Sequence, residues 1–119
     1  KQMTVDRNLL SSAVKRVSLF SNAFTHQVRF SVAKDRLTVQ SEDLDVGGEA
    51  KEELEVQYAE DAMDIGYNAN YVMDILKQID TESATFHLKS PMNAALVTPD
   101  EQMPGEEFEM LLMPIKLSS

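Results

Sequence analysis

The feature that most constrains this fold is a repetition in the order of the chain's apolar patterns. Two stretches carry apolar residues at positions i, i+3, i+4 and i+7, the spacing of one helix face. The first stretch is Leu10, Ala13, Val14 and Val17, and the second is Val72, Ile75, Leu76 and Ile79. A strand-like segment precedes each stretch, and segments that alternate between polar and apolar residues follow it. The order β-α-β-β-β therefore occurs twice, with a period of about 60 residues, which predicts a duplicated topology.

Neither half can bury its apolar helix stripe and strand faces by itself, whereas two halves packed together can. We therefore predict an α+β domain in which two helices pack on antiparallel sheets. The domain covers residues 1–119, with repeats over about 1–60 and 61–117. This length suffices to bury roughly two-thirds of the surface of the unfolded chain.

Local signals predict where several of these elements begin. Asp6 or Asn8 can cap the first helix, and Asn68 or Asn70 can cap the second, because short polar side chains accept hydrogen bonds from free amides at a helix start. Alternation over residues 54–58 predicts a strand. The segment 106–110 repeats the pattern of 52–56 and predicts its counterpart in the second half.

The C-terminal stretch departs from this alternation. Five of the eight residues from Met110 onward are Leu or Met. One interpretation is a terminal strand that caps the core. The other is one wall of a peptide-binding groove, because the unbranched, polarizable Met side chain suits apolar surfaces that accept varied partners.

Charge is distributed unevenly along the chain. The net charge of −9 argues against simple wrapping of nucleic acid, which requires a basic surface. Residues 7–34 nevertheless contain five basic residues and no acid, whereas residues 42–61 contain nine acids and one lysine. One part of the fold should be locally basic and another strongly acidic.

The composition also bears on the compartment. The chain has no Cys, which excludes disulfides and thiolate metal sites and fits a reducing compartment. No apolar run approaches the 18 residues of a membrane span, and no leader pattern is present. We therefore expect a cytoplasmic protein with no membrane partner. Because the chain begins at Lys1 rather than Met, we expect it to be a fragment of a longer protein.

Signals of catalysis and of metal binding are weak. His26 and His87 lie far apart in a chain without Cys, and no glycine-rich phosphate loop occurs. The acidic stretch from Asp43 resembles a calcium loop, but Leu54 occupies the position that requires a bidentate Glu. We predict no catalytic residue, no metal site and no cofactor.

Three segments resemble one protein family. They are residues 65–76, with the sequence IGYNANYVMDIL; Ser21-Asn22 followed by Val28-Arg29-Phe30; and the ending Met113-Pro114-Ile115-Lys116-Leu117. This pattern resembles the third, C-terminal domain of the bacterial sliding clamp, the β subunit of the replicative DNA polymerase. The resemblance covers nearly the whole chain.

The resemblance implies a processivity factor without enzymatic activity. Three such domains form a subunit, and two subunits close into a homodimeric ring around duplex DNA, which they bind without sequence preference. The replicative polymerase, the clamp loader and repair proteins insert a linear motif with Leu and Phe anchors into a groove. The middle domain supplies the other wall of that groove.

The resemblance also implies roles for individual residues. The groove would contain Asn68, Tyr71, Met92, Ala94, Leu111, Leu112, Met113, Pro114, Ile115, Lys116 and Leu117, together with Thr25, where the family often has an aromatic residue that Phe24 could replace. The helix faces turned toward DNA would carry Arg7, Lys15, Arg16 and Lys77. The subunit interface would include Leu19, Phe20, Glu49, Glu52 and Glu53.

Alternatives remain at this point. The chain could be a small acidic α+β enzyme or ligand-binding domain, which would need a pocket with paired titratable groups. It could also be an interaction domain that never forms a ring. For Leu19 and Phe20, the alternative to an interface is packing in the core.

Overall fold

A computed structural model of the chain describes residues 1–43, 48–99 and 109–117. The elements, in order, are β1 (Gln2–Asp6), α1 (Arg7–Ser18), β2 (Gln27–Ala33), β3 (Arg36–Asp43), β4 (Gly48–Glu55), β5 (Met63–Asn68), α2 (Ala69–Lys77), β6 (Ser83–His87), β7 (Ala95–Pro99) and β8 (Met110–Leu112). The predicted α+β class and the duplicated β-α-β-β-β order are thus confirmed. Within the described ranges, no helix is long and apolar enough to cross a membrane.

Both helices begin at the first of the two capping residues that the sequence offers. The Asp6 carboxylate accepts a hydrogen bond from the Leu9 amide at 2.9 Å. The Asn68 side chain accepts bonds from the amides of Asn70 and Tyr71 at 2.9 and 3.3 Å. These bonds satisfy amides that have no partner within the helix. Both predicted apolar stripes are buried, including Ile79, which lies just beyond the end of α2.

The eight strands form two four-stranded sheets, with the orders β1-β6-β7-β8 and β4-β3-β2-β5. The first strand of each repeat therefore belongs to the sheet of the other repeat. β1 pairs antiparallel with β6, with Met3 opposite Phe86, and β5 pairs antiparallel with β2, with Ile65 opposite Phe30. Each half completes the sheet of the other half.

Both sheets and both helices share one core. The ring of Phe30 in β2 lies 5.2 Å from that of Tyr67 in β5, edge to face, and 6.3 Å from that of Phe86 in β6. Phe30 thus connects the two sheets through aromatic contacts. α1 contacts α2 and the strands β1 to β4, while α2 contacts β5 and β8.

The predicted strand over residues 54–58 is wrong in its bounds. β4 runs from Gly48 to Glu55, and the chain then leaves β3. Gln57 instead exchanges two backbone hydrogen bonds with Thr4, at 3.0 and 2.9 Å, so the segment changes its partner from β3 to β1. The predicted strand over 106–110 lies mostly outside the described residues, as does part of the acidic loop at 44–47, and β8 begins at Met110.

Candidate functional site

The C-terminal tail, residues 113–117, passes from one sheet to the other. β8 pairs with β7 in the first sheet, with Leu111 opposite Leu96. Three residues after β8, the Ile115 amide donates a 2.7 Å hydrogen bond to the Gly66 carbonyl of β5, in the second sheet. β5 is an edge strand, so the tail covers the edge that β2 leaves open.

The pleat of β8 divides its leucines between two environments. Leu111 is 61% exposed and faces outward, whereas Leu112 is 1% exposed and packs in the core opposite Ala95. The expectation that Leu112 offers surface to a ligand is corrected accordingly, because it supports the tail from inside. Met113 and Lys116 are exposed. Pro114, Ile115 and Leu117 are half-buried.

The loop before β2 is fastened to the start of α2. The Asn68 side chain donates a 3.4 Å hydrogen bond to the Thr25 carbonyl, and the Ala69 amide donates a 2.8 Å bond to the His26 carbonyl. These bonds bring Thr25 close to Asn68, which lies two residues beyond Gly66 and therefore near the tail. Tyr71, in the first turn of α2, is exposed. The structure thus brings Thr25, Asn68 and Tyr71 to the same end of the domain as the tail.

Phe24 is the most exposed large apolar side chain among the described residues, at 94%. The Asn22 side chain holds this loop by accepting bonds from the amides of Phe24 and Thr25 at 2.8 and 3.3 Å. An aromatic ring in this position can bury a large apolar area when a partner covers it. That Phe24 replaces the aromatic residue expected at the position of Thr25 stays a prediction.

Met92 and Ala94 lie in the turn between β6 and β7. Met92 is exposed, and its amide donates a 3.2 Å bond to the Ser90 hydroxyl. Ala94 is half-buried and directly precedes Ala95, the register partner of Leu112. Ala94 is therefore near the point where β8 leads into the tail.

One exposed apolar residue beside the tail was missed in the sequence. Leu96 is partly exposed and lies directly opposite Leu111, so the two side chains share the outer face of the first sheet. Ala95, Leu96 and Val97 are all apolar, so the sequence carries no polar–apolar alternation that marks Leu96, and its direction away from the core is seen only in the burial of β7.

The four cations expected to face DNA have different environments. Lys15 on α1 and Lys77 on α2 are exposed, and neither forms an ion pair with another described residue. Arg7 is half-buried, and its Nε donates a 3.0 Å bond to the Thr81 carbonyl, which ties the start of α1 to the segment after α2. Lys15 and Lys77 are therefore the more available of these cations.

Arg16 is engaged within the chain. Its Nε and Nη2 donate bonds of 2.7 Å to the two carboxylate oxygens of Glu52 on β4. The hydrogen bonds from Arg16 lower the pKa of the Glu52 carboxyl below its ordinary value, although partial burial opposes the shift. A residue expected on the DNA-facing surface and one expected at the subunit interface thus bind each other.

The residues expected at the subunit interface lie around the edge strand β4. Leu19 is 78% exposed, and the Phe20 ring lies over Gly48, where an added Cβ would be 3.2 Å from Phe20 Cδ1. Both side chains are exposed, which contradicts the alternative of core packing. Glu49 and Glu53 are exposed on the face of β4 opposite that of Glu52. The three glutamates therefore do not form one surface.

The two histidines of the described residues lie in different surroundings. His87 Nε2 lies 3.0 Å from the Thr98 hydroxyl, and His26 lies in the loop before β2 with a φ of 49°. No group of three or more His, Asp or Glu side chains in the described ranges is placed to hold a metal ion. A depression of about 500 Å³ at the turn between β2 and β3 is lined by Lys34, Asp35, Arg36 and residues 53–56.

The chain is similar to known proteins in both sequence and fold. Residues 1–116 match the family described as DNA polymerase III beta subunit, C-terminal domain. A beta sliding clamp from Caulobacter vibrioides is 33% identical over 117 residues, which are 98% of this chain and 30% of that relative.

Two solved structures extend this similarity to the fold. A Pseudomonas aeruginosa sliding clamp superposes with a TM-score of 0.91 at 29% identity, over 98% of this chain and 31% of that one. A C. crescentus beta sliding clamp, with polyethylene glycol in a region proposed there as its beta-motif tethering region, gives 0.91 at 32% identity over 98% and 30%. The chain spans about 30% of the length of these relatives.

Proposed function

Because the chain belongs to the family of the DNA polymerase III beta subunit, C-terminal domain, we propose that it is part of a ring-shaped processivity factor. The ring encircles duplex DNA and tethers a DNA polymerase and other replication and repair proteins. The domain contributes binding surfaces and no catalytic group. The family match favours this role over a small acidic enzyme, and we place the protein in the cytoplasm.

The observation that carries the proposal is the position of the tail. Its bridge to Gly66 places exposed Leu111 and Met113 at the same end of the domain as Tyr71 and the loop of Thr25. A partner that contributes Leu and Phe side chains can cover these apolar groups together. Asn68 and Lys116 can bind the backbone or polar side chains of the partner.

The affinity that this surface supports suits exchange of partners. Each Leu or Phe anchor contributes about 1.5–3 kcal/mol when it moves from water into an apolar site. Two or three anchors, less the cost of ordering a peptide, correspond to dissociation constants in the micromolar range. This chain by itself should bind more weakly, because the family resemblance implies a second wall from another domain.

The helices would line the hole of the ring. Lys15 and Lys77 project from α1 and α2, which contact each other, and both are free to meet phosphates. Few such contacts suffice because a closed ring is retained on DNA by topology. The edge strand β4, with Leu19 and Phe20 beside it, would face the neighbouring subunit.

The test is a titration of the isotope-labelled chain with a short peptide of the Gln-x-x-Leu-Phe kind, followed by amide chemical shifts. We expect the amide signals of Tyr71, Leu111, Met113 and residues 115–117 to move. A control peptide with Ala in place of Leu and Phe should leave them unchanged. Shifts confined to other parts of the domain would contradict the assignment of the groove.

A further inference from the structure

Gly66 is the residue of β5 against which the tail packs. It lies in β5 between Ile65 and Tyr67, whose side chains point into the core. Because side chains alternate along a strand, a side chain at position 66 would point to the opposite face. An added Cβ would lie 2.6 Å from the Ile115 carbonyl oxygen and 2.8 Å from Leu117 Cδ2. Both distances are too short for any real Cβ, so residues 113–117 occupy space that only glycine leaves free.

The backbone conformation does not require glycine at this position. The φ of Gly66 lies outside the left-handed region, so an alanine could adopt the same backbone without strain. The closest obstacle is a backbone carbonyl, which cannot turn aside as the end of a flexible side chain can. The requirement for glycine therefore comes from the tail and not from β5 itself.

Few interactions hold the tail to the second sheet. Among the described residues, one backbone bond joins them, from the Ile115 amide to the Gly66 carbonyl at 2.7 Å. Leu117 adds apolar contact above Gly66. β8, which precedes the tail, has only three residues. A side chain at position 66 would therefore release residues 113–117 from the second sheet, while β5 stays paired with β2.

We propose that Gly66 is a positioning residue for the peptide site. Its lack of a side chain lets the tail dock, and the docked tail presents Met113 and its neighbours to a partner. Any larger residue at position 66 displaces the tail and weakens peptide binding, without contacting the peptide itself. This inference rests on the proposed function of the groove.

The test compares Gly66→Ala with Gly48→Ala in the 119-residue chain. The two glycines lie in β5 and β4, the two edge strands of the same sheet, and neither has a left-handed φ. At position 48 an added Cβ meets only the Phe20 ring, at 3.2 Å. We expect Gly66→Ala to abolish protection of the Ile115 amide against hydrogen exchange, and Gly48→Ala to preserve it.

Peptide affinity is measured on the same proteins. We expect Gly66→Ala to lower it about tenfold or more, the loss of one apolar anchor, and Gly48→Ala to leave it unchanged. A protected Ile115 amide in Gly66→Ala, or equal affinity of the two variants for the peptide, would overturn this inference and leave the proposed function standing. Failure of the unchanged chain to bind the peptide would instead overturn the proposed function.

A truncated chain that ends at Pro114 shows whether glycine at position 66 is required for docking of the tail or for the folding of β5. Without Ile115 and Leu117 the obstacle to a Cβ is gone, so Gly66→Ala should not lower the stability of the truncated chain. It should also cause no further loss of peptide affinity beyond that of the truncation. If Gly66→Ala destabilises the truncated and intact chains equally, glycine is required by β5 and the inference is wrong.

Discussion

Arg16 of α1 and Glu52 of β4 bind each other through two hydrogen bonds of 2.7 Å, one to each carboxylate oxygen. The pair connects the helix that carries Lys15 with the edge strand beside Phe20. Glu49 and Glu53 do not take part in it, because they lie on the other face of β4. Two surfaces that the sequence treats as independent are thus in direct contact, and the pair restrains Arg16.

The first prediction concerns the availability of Arg16 to DNA. Glu52→Gln removes the charge that holds Arg16, whereas Glu53→Gln makes the same change in net charge on the opposite face of β4. We expect Glu52→Gln to strengthen binding to a duplex oligonucleotide at low salt more than Glu53→Gln does. The slope of log K against the logarithm of the salt concentration should become steeper by about 0.9, which is the contribution of one phosphate contact. Equal effects of the two variants would show that the pair does not restrain Arg16.

The second prediction concerns acid stability. Because Arg16 lowers the pKa of Glu52 in the folded state, the ionised carboxylate stabilises the fold above its unfolded pKa. This contribution is lost as the pH falls through the folded pKa. The effect should be small, since both groups are solvent-accessible. Urea unfolding of Glu52→Gln and of the unchanged chain should differ most at neutral pH and converge in acid, whereas a constant difference would contradict the linkage.

The third prediction uses two adjacent leucines of β8. Leu112→Ala removes a core side chain and should lower the free energy of unfolding by about 2–5 kcal/mol. Leu111→Ala removes an exposed side chain and should change it by less than about 0.5 kcal/mol. The affinity for the Leu/Phe peptide should nevertheless fall in Leu111→Ala. Chemical denaturation and peptide titration of both variants test whether Leu112 serves stability and Leu111 serves peptide binding. A loss of stability in Leu111→Ala would contradict this assignment.

The fourth prediction concerns two buried tyrosines. The Tyr67 hydroxyl has no hydrogen-bond partner among the described residues, whereas the Tyr58 hydroxyl donates a 2.6 Å bond to the Asp61 carbonyl. Tyr67→Phe should therefore leave stability unchanged or raise it by about 1 kcal/mol, and Tyr58→Phe should lower it by about 1 kcal/mol. Thermal unfolding of both variants measures these differences.

The pH dependence of the stability provides a second test of the buried Tyr67 hydroxyl. Burial raises the pKa of the Tyr67 phenol above its ordinary value. The folded state then holds its proton more tightly than the unfolded state, so stability should fall as the pH rises above about 10. Tyr67→Phe should reduce this fall. If stability falls equally with rising pH in Tyr67→Phe and in the unchanged chain, burial does not raise the pKa of the Tyr67 hydroxyl.

The fifth prediction follows from the exchange of first strands between the repeats. The fragments 1–62 and 63–119 each lack the strand that completes their sheet, because β1 pairs with β6 and β5 pairs with β2. Each fragment alone should show no cooperative unfolding by circular dichroism, and an equimolar mixture should recover it. Cooperative folding of either fragment alone would contradict this dependence.

Much of the local structure could be predicted from the sequence. The stripes of Leu10 and Val72 and the caps at Asp6 and Asn68 depend on residues within a few positions of one another, so periodicity and capping chemistry suffice to find them. The exposure of Leu96 does not follow in this way, because Ala95, Leu96 and Val97 are all apolar and show no alternation in the sequence. The end of β4 was missed because Gln57 pairs with Thr4, a residue of the other sheet's β1.

The order of the helices and strands, their apolar faces and the presence of an apolar tail can be predicted from the sequence alone, because these follow from the spacing of neighbouring side chains. Three further features become known only from the folded chain: which sheet contains β1 and which contains β5, which carboxylate binds Arg16, and that Gly66 lies under Ile115. Each of these pairings joins segments distant in the chain. Hydrogen bonds and steric contacts between such segments depend on how the elements pack, and local periodicity carries no information about them.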